Sequence, residues 1–284
     1  MAHVTRRRVL TGLAATTAAV LAPPAGSAFA DGQQHGPRPL WRAHAHNDYE
    51  HPRPLFDALD HRFGSVEADI FLVDGELLIA HSADELDPTR TLEGLYLAPL
   101  ATRVKANHGS VYRGHRRPLQ LLIDIKTEGS STYLALDELL KRHRHLFTTY
   151  AHGRIRRGPV TAVISGDRAA RVPMEAQTVR RAFYDGRLTD LGTSEASFAS
   201  LISDNWTLNF TWLGVGAFPA AERTKLRQIV DTAHARGQQV RFWATPDLAG
   251  PERDALWTEL LAAGVDHLNT DDLAGLEAFL DAHR

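Results

Sequence analysis

The sequence predicts a (β/α)8 barrel on three observations. Short apolar runs alternate with helical patterns along most of the chain, about eight such runs can be identified, and roughly 250 residues are available to build them. Gly237 and Gly264 stand where two helices would end just before a strand. A doubly wound open sheet is the alternative, because residues 159–216 give the least regular alternation.

The apolar runs define the elements of this barrel. The predicted strands are Trp41–Ala45, Ser65–Phe71, Leu119–Ile125, Val160–Ile164, Arg181–Tyr184, Trp206–Phe210, Gln239–Trp243 and Asp266–Asn269. The predicted helices are Pro54–Arg62, Tyr133–His145, Ala220–Arg236, Glu252–Ala263 and Leu273–Ala282. Asp74-Gly75 marks a turn, after which a further strand runs toward His81.

The first thirty residues have the pattern of an export signal. Twin arginines in TRRRVL precede a modest apolar run, Leu10–Ala22, and the small-residue site Ala28-Phe29-Ala30. We therefore predict a twin-arginine signal peptide over residues 1–30, a flexible lead-in over 31–39 and a single barrel domain over 40–284, in an exported or secreted protein. The apolar run is too short for a membrane span of ~20 residues. An uncleaved anchor and a frayed basic terminus are the alternatives.

Composition and charge exclude several classes of function. The chain has no cysteine, so it has neither disulfides nor the cysteine ligands of zinc and iron–sulfur sites. Its formal charge is −2, and it becomes −5 without the three arginines of the predicted signal peptide. A mildly acidic protein is not expected to be a general nucleic-acid binder.

Two predicted strands direct carboxylates toward the barrel axis. Glu67 and Asp69 lie two residues apart on one face of a strand whose other face is apolar. Asp124 and Lys126 occupy the same kind of position at the end of LQLLIDIK. Oxygen ligands of this type suit a hard divalent cation, Mg²⁺ or Ca²⁺. A buried network of ion pairs around Lys126 is the alternative.

Histidines follow the strand ends nearest these carboxylates. His44 and His46 end the first predicted strand, and His81 follows the hairpin that contains Glu67 and Asp69. A pair of histidines beside a bound cation suits general acid–base chemistry near neutral pH. The constellation is a much stronger signal than any one of these histidines.

These residues resemble the motifs of the phosphatidylinositol phospholipase C-like phosphodiesterase superfamily, and within it those of the glycerophosphodiester phosphodiesterases. The similar positions are His46, Glu67-x-Asp69, Asp74-Gly75, His81 and Asp124-x-Lys126. The Asp-x-Lys form also resembles the sphingomyelinase D branch, and HNDY…RPLFDAL resembles a less studied fungal and bacterial branch. The chain departs from the family where Asn47-Asp48 replaces an Arg-Gly pair and where Leu55 replaces a glutamate.

The resemblance implies a phosphoric diester hydrolase that acts on glycerophosphodiesters or phospholipid headgroups. One divalent cation, Mg²⁺ or alternatively Ca²⁺, would be held by Glu67, Asp69 and Asp124, with Lys126 as a second cation on the phosphate. His46 and His81 would act as general acid and base. Substrate contacts would come from Trp243, Asn47 and His44, with His44 in a supporting role. We expect no nucleic-acid or protein partner, and at most peripheral contact with a membrane.

Two other functions are compatible with the sequence. The His44-x-His46 pair resembles the metal-binding histidines of metal-dependent amidohydrolases, although the later strands offer only His267 as a further histidine. A secreted binding module that keeps the barrel without turnover is the second alternative. The six predicted site residues argue against that module, because a decayed enzyme would be expected to lose at least one of them.

Overall fold

The structure is a computed structural model that describes residues 1–3 and 36–284. Residues 4–30 of the predicted signal peptide and residues 31–35 of the lead-in therefore lie outside the described residues. Within the part of the chain that is described, no helix combines the length and apolar character needed to cross a bilayer.

Strands and helices alternate from residue 40 to the C-terminus. The strands are β1 (Leu40–Ala45), β2 (Phe63–Val73), β3 (Glu76–Ile79), β4 (Leu119–Ile125), β5 (Thr149–Ala151), β6 (Arg154–Arg156), β7 (Val160–Gly166), β8 (Val179–Arg180), β9 (Ala182–Gly186), β10 (Ala199–Asn205), β11 (Gln239–Trp243) and β12 (Leu268–Thr270). The α-helices are α1 (Phe56–Asp60), α2 (Ala98–Ala106), α3 (Gly129–Arg142), α4 (Arg171–Glu175), α5 (Trp206–Asn209), α6 (Ala220–Ala235), α7 (Pro251–Ala263) and α8 (Leu273–Ala282).

Eight parallel strands form the predicted barrel. Their order is β11-β10-β9-β7-β4-β2-β1-β12, and every neighbouring pair on this path is parallel. A single parallel bridge between Arg241 and His267 joins the two outer strands and nearly closes the ring. The predicted fold class, an α/β barrel of the (β/α)8 type, is confirmed.

The strand pattern separates an outer core from the barrel interior. On β4, the odd-numbered residues Leu119, Leu121, Ile123 and Ile125 belong to the main core, which includes residues of the surrounding helices. Leu122 points the other way and packs with Val163 and Leu201 in a separate small cluster. These apolar side chains fill part of the interior, and buried polar side chains occupy the rest, including Glu67, which lies in register with Leu122.

Two short additions decorate the barrel. The Asp74-Gly75 turn has positive φ at both residues, as a two-residue hairpin requires, and it folds β3 back antiparallel on β2. A second sheet, β6-β5-β8, is antiparallel and lies at the end of the barrel where the parallel strands begin.

The prediction of a strand at Trp206–Phe210 is wrong. The sixth strand of the barrel is β10, which ends at Asn205, and Trp206 begins the helical turn α5. The Asn205 side chain caps this turn by accepting from the Thr207 amide at 2.8 Å. Trp206 and Phe210 stack with ring centroids 4.1 Å apart. Their spacing of four residues is a helical repeat, which a short apolar run does not distinguish from a strand.

Candidate active site

The three predicted carboxylates meet at the end of the barrel where the strands finish. Asp69 on β2 lies directly beside Asp124 on β4 in the parallel register. One oxygen from each of Glu67, Asp69 and Asp124 lies within 4.8 Å of the others. Gly166 leaves room for this cluster, because a Cβ on it would approach Asp124 Oδ1 to 2.6 Å.

Two cations contact the carboxylates, and one of them was not predicted. Lys126 Nζ lies 2.9 Å from Asp69 Oδ2 and 3.2 Å from Asp124 Oδ1. Arg241, which points inward from β11, donates to Glu67 Oε2 at 2.8 Å and is itself buried. Three carboxylates thus face two cations. The network of ion pairs around Lys126, which was the alternative to a metal site, is present, but it leaves negative charge uncompensated.

The electrostatics of the cluster fit a further cation. Burial, followed by repulsion from Glu67, raises the pKa of Asp69 to about 7, and burial also raises the pKa of Asp124. Burial would raise the pKa of Glu67 too, but the charge of Arg241 holds it well below its usual range. Asp69 Oδ1 is buried and has no hydrogen-bond partner among the described residues. These three residues form an acidic cluster that can hold a metal ion.

His44 contacts the acidic cluster from inside the barrel and positions Arg241. Its side chain has no exposed surface, so it does not reach a substrate, although the sequence placed it among the substrate contacts. Burial, assisted by Arg241, lowers the pKa of His44 to about 3, and the neutral ring accepts from Arg241 through Nε2. Its Nδ1 lies 2.7 Å from Ser65 Oγ, which also accepts from Gln120 at 2.9 Å. His44 therefore holds Arg241 in position beside Glu67.

His46 forms a histidine–carboxylate pair. Its Nδ1 lies 2.8 Å from Asp271 Oδ1, just beyond β12, and its amide donates to the Thr270 carbonyl. Burial would lower the pKa of His46, but the hydrogen bond to Asp271 and the charge of Glu67 outweigh burial and raise it. With Nδ1 engaged by Asp271, Nε2 is the ring nitrogen left for proton transfer.

Tyr49 connects His81 to the carboxylate cluster. Its hydroxyl lies 2.9 Å from His81 Nδ1, 2.6 Å from Asp69 Oδ2 and 3.0 Å from Asn47 Oδ1. Tyr49 is itself 2 % exposed, whereas the side chain of His81 is 55 % exposed. The hairpin of β2 and β3 thus returns His81 to the cluster, and the tyrosine orients its ring.

Asp48 explains how the first loop departs from the family pattern. Its buried Oδ2 accepts from the Leu55 amide at 2.6 Å and from the Tyr96 hydroxyl at 2.8 Å. Leu55 is fully buried and has a φ of 66°, so the loop needs this hydrogen bond to hold a strained backbone. Burial raises the pKa of Asp48 to about 7 despite the two hydrogen bonds.

The raised pKa of Asp48 predicts a pH-dependent stability. Because the folded protein binds this proton more tightly than the unfolded chain, stability rises as pH falls from about 7 toward about 4. Relative to Asp48→Asn, the wild type should gain on the order of 3 kcal/mol across that range. Urea unfolding of both proteins at several pH values measures the difference. A difference that stays constant with pH would contradict the assignment.

A second polar cluster borders the carboxylates and was missed by the sequence analysis. Asp185 at the end of β9 is fully buried, and its Oδ2 accepts from Ser165, Ser203 and Arg187 at 2.8, 2.7 and 2.7 Å. Burial would lower the pKa of Arg187, but Asp185, with Asp204 and Asp124, raises it. Ser165, which lies 3.4 Å from this guanidinium, is in register with Asp124 on the neighbouring strand, so Arg187 lies next to the acidic cluster.

The two remaining predicted contacts lie at the same end of the barrel. Trp243 is the last residue of β11, in register with Asn205, and is partly exposed. Asn47 has a left-handed backbone and accepts from the Tyr49 hydroxyl. His267, in contrast, precedes β12 and pairs with Arg241 in the bridge, away from the ends where the carboxylates lie.

Comparison with known proteins places this site in a family. The model of the AIM6-like phosphodiesterase domain matches residues 38–185, and that of the glycerophosphoryl diester phosphodiesterase family matches residues 239–274. The altered inheritance of mitochondria protein 6 of Eremothecium gossypii is 31% identical over 84% of this chain and 69% of its own length. The chain belongs to the AIM6-like phosphodiesterase family.

Other AIM6-like relatives give the same picture. The Arthroderma benhamiae homologue is 28% identical over 83% of this chain and 82% of its own length. In Lachancea thermotolerans the identity is 31%, over 82% of this chain but 64% of the relative. A crystal structure of glycerophosphodiester phosphodiesterase from Agrobacterium tumefaciens aligns with 78% of this chain and 89% of its own, at 14% identity and a TM-score of 0.42. The recognised superfamily is confirmed, while the shared name of the relatives states no reaction.

Proposed function

We propose that the chain is a divalent-cation-dependent phosphoric diester hydrolase. The observation that carries the proposal is the convergence of Glu67, Asp69 and Asp124 between two histidines that are each held by a side-chain hydrogen bond. The match to a phosphodiesterase domain over residues 38–185 supports the reaction class. The substrate would be a glycerophosphodiester or the headgroup of a phospholipid.

The three carboxylates would hold one cation, for which Mg²⁺ is the first choice and Ca²⁺ the second. The unpartnered Oδ1 of Asp69 and the excess of negative charge support this assignment. When bound, the ion would polarise a phosphate oxygen and stabilise the charge that develops as the diester is attacked. Lys126, which forms ion pairs with Asp69 and Asp124, would also attract the same phosphate.

The histidines would divide the proton transfers. His46 would be the general base, because the carboxylate of Asp271 fixes its tautomer and stabilises the imidazolium formed when Nε2 accepts a proton. The attacking oxygen would come from water or from a neighbouring hydroxyl of the substrate. His81 would protonate the leaving alcohol oxygen as the phosphorus–oxygen bond breaks, with its ring oriented by Tyr49.

Arg187 would bind the substrate phosphate beside the cation. Its NH1 is committed to Asp185, but the guanidinium has further donors, and its side chain is 25% exposed. A guanidinium suits this task because its donors match two phosphate oxygens at once. Ser165 and Ser203, which share Asp185 with it, would fix its position.

Arg187→Gln should raise KM for a phosphodiester by about 10- to 100-fold, the loss expected for a charged hydrogen bond. Steady-state kinetics on folded protein measure the effect, with exposed Arg227→Gln on α6 as the matched control. Arg187→Lys should recover part of the loss, since lysine keeps the positive charge but lacks the planar pair of donors that a guanidinium offers. Unchanged KM in Arg187→Gln would remove this residue from the phosphate site.

The two alternatives fit the described residues less well. An amidohydrolase-type centre needs His44 as a ligand, but the ring is buried and its Nε2 already accepts from Arg241. The further histidine it would require, His267, lies outside the acidic cluster. A binding module without turnover has no specific observation in its favour, and it remains an outcome of the experiment.

The proposal is tested by ³¹P NMR of the full chain with Mg²⁺ and a set of diesters. The set is bis(p-nitrophenyl) phosphate, glycerophosphocholine and lysophosphatidylcholine, with p-nitrophenyl phosphate as the monoester control. We expect at least one diester to be cleaved and the monoester to be left intact, and the spectrum also distinguishes a cyclic from an open product. A folded protein that cleaves none of them would favour the binding module.

Export by the twin-arginine route is also proposed, and it depends on the sequence of residues 1–30 alone. N-terminal sequencing of protein collected outside the cytoplasm checks it. We expect a mature chain that starts at Asp31, and retention of the full-length chain inside the cell would contradict export.

A further inference from the structure

A cavity lies at the opposite end of the barrel from the acidic cluster. It has a volume of about 500 Å³, within the usual range of small-molecule sites. Its walls come from residues at the beginnings of the barrel strands and from the segments that precede them, including Gln120, Thr161, Gln239, Arg117 and Arg157. Between this cavity and Glu67 lie the buried, hydrogen-bonded side chains of Gln120, Ser65 and His44, beside the small apolar cluster around Leu122.

The charge of this cavity is positive and poorly neutralised. Arg117 and Arg157 both line it, and no carboxylate does so among the described residues. Arg117 stacks on the Trp41 ring at 5.3 Å from its centroid. Arg117 and Arg157 are both exposed at the mouth of the cavity. Partial desolvation, followed by the nearby charges of Arg42 and Arg157, lowers the pKa of Arg117 against the opposite effect of Asp266. Asp266 is already bound by His234 and by the Val240 amide, so it leaves the arginines largely unpaired.

A buried histidine in the same wall has no hydrogen-bond partner within the part of the chain that the structure describes. His267 is 2 % exposed, lines the cavity, and has no described hydrogen-bond partner at either ring nitrogen. Burial lowers its pKa to about 3, so at neutral pH the ring offers one N–H donor and one acceptor. Leaving such buried groups without hydrogen bonds is unfavourable, and a hydrogen-bonding ligand would recover that cost.

We propose that this cavity is a binding site for a small phosphate monoester dianion, separate from the catalytic end. Arg117 and Arg157 would bind the phosphate. Two guanidinium groups match its double negative charge, and no carboxylate among the described residues lines the cavity to compete for them. His267 and Gln239 would hydrogen-bond to the rest of the ligand. Neither the cavity nor its charges involve a residue of the acidic cluster, so the site stands whether or not the chain hydrolyses diesters.

Calorimetric titration of the metal-free full chain tests the site at constant ionic strength. The probes are inorganic phosphate and phenyl phosphate, and a chelating resin removes metal so that no added chelator competes. We expect saturable binding of one anion per chain that weakens about tenfold or more in Arg117→Gln and in Arg157→Gln. Exposed Arg116→Gln, next in sequence but outside the cavity wall, is the matched control and should bind like the wild type.

A further variant and a lipid probe locate and identify the ligand. Lys126→Gln, at the catalytic end, should keep the affinity. Loss of binding in Lys126→Gln but not in Arg117→Gln would put the anion at the catalytic end and overturn the proposal. Competition by chloride as strong as that by phosphate would also overturn it, because the site would then not select a phosphate. Arg117-dependent binding to phosphatidylcholine vesicles containing phosphatidic acid would assign a lipid headgroup, whereas binding of the soluble probes alone would assign a free phosphate monoester.

Discussion

Replacing Asp69 by Asn should reduce phosphodiester turnover by about 10²–10³-fold and leave the protein folded. The substitution removes a cation ligand, and electrostatic stabilisation of this kind is worth ~10²–10³ in rate for each group lost. Stability should be kept, because the lost carboxylate is repelled by Glu67 and because Lys126 still pairs with Asp124. Initial rates at saturating Mg²⁺ and a urea unfolding curve measure both effects.

Asp69→Asn is a cleaner test of the cation site than Glu67→Gln. Glu67 is the partner of buried Arg241, and removing one member of a buried ion pair costs about 3–5 kcal/mol. Loss of activity in Glu67→Gln could therefore reflect unfolding. Asp231→Asn, on the exposed face of α6, is the matched control and should change neither rate nor stability. Substantial turnover by folded Asp69→Asn would refute a role for this carboxylate in holding the cation.

His46→Ala should lower kcat by about 10²–10⁴-fold, the usual contribution of a general base. Asp271→Asn should have a smaller effect on kcat and a distinctive effect on the pH profile. The base must be neutral to accept a proton, and Asp271 contributes to its raised pKa. Without that carboxylate the pKa of His46 falls, so the acidic limb of the kcat/KM profile should move to lower pH.

Kinetics across pH for wild type, His46→Ala and Asp271→Asn give this comparison, with exposed His145→Ala as the control. A purely structural role for Asp271 would lower kcat without moving the limb. If His46→Ala retained near wild-type kcat, the base would have to be sought elsewhere in the cluster.

The acidic cluster could be predicted from the sequence because strand geometry is strict. Glu67, Asp69 and Asp124 interrupt otherwise apolar strands at a period of two, which determines their face and their end of the barrel. The Asp74-Gly75 turn likewise indicated that His81 would return to the same end. Local patterns of this kind are sufficient wherever one strand or one hairpin positions the residue.

The supporting residues could not be predicted because their roles arise from contacts between distant segments. Arg241 reaches Glu67 only because β11 curves back to close the ring. Tyr49, in the first loop, joins Asp69 on β2 to His81 beyond β3. Asp185 lay one residue beyond the predicted end of its strand. The strand that carries Ser203 begins at Ala199, seven residues before the predicted start at Trp206. Asp271 comes just after the last strand, and no local pattern indicates that it pairs with His46.

The measurement that tests the account most directly is the rate of bis(p-nitrophenyl) phosphate hydrolysis by the full chain, first stripped of metal and then supplied with Mg²⁺, Ca²⁺, Mn²⁺ or Zn²⁺ in turn. We expect no turnover in the stripped protein, recovery with Mg²⁺ or Ca²⁺, and no recovery in Asp69→Asn. Turnover that persists at full rate without metal, or that the metals restore equally in Asp69→Asn, would contradict this expectation.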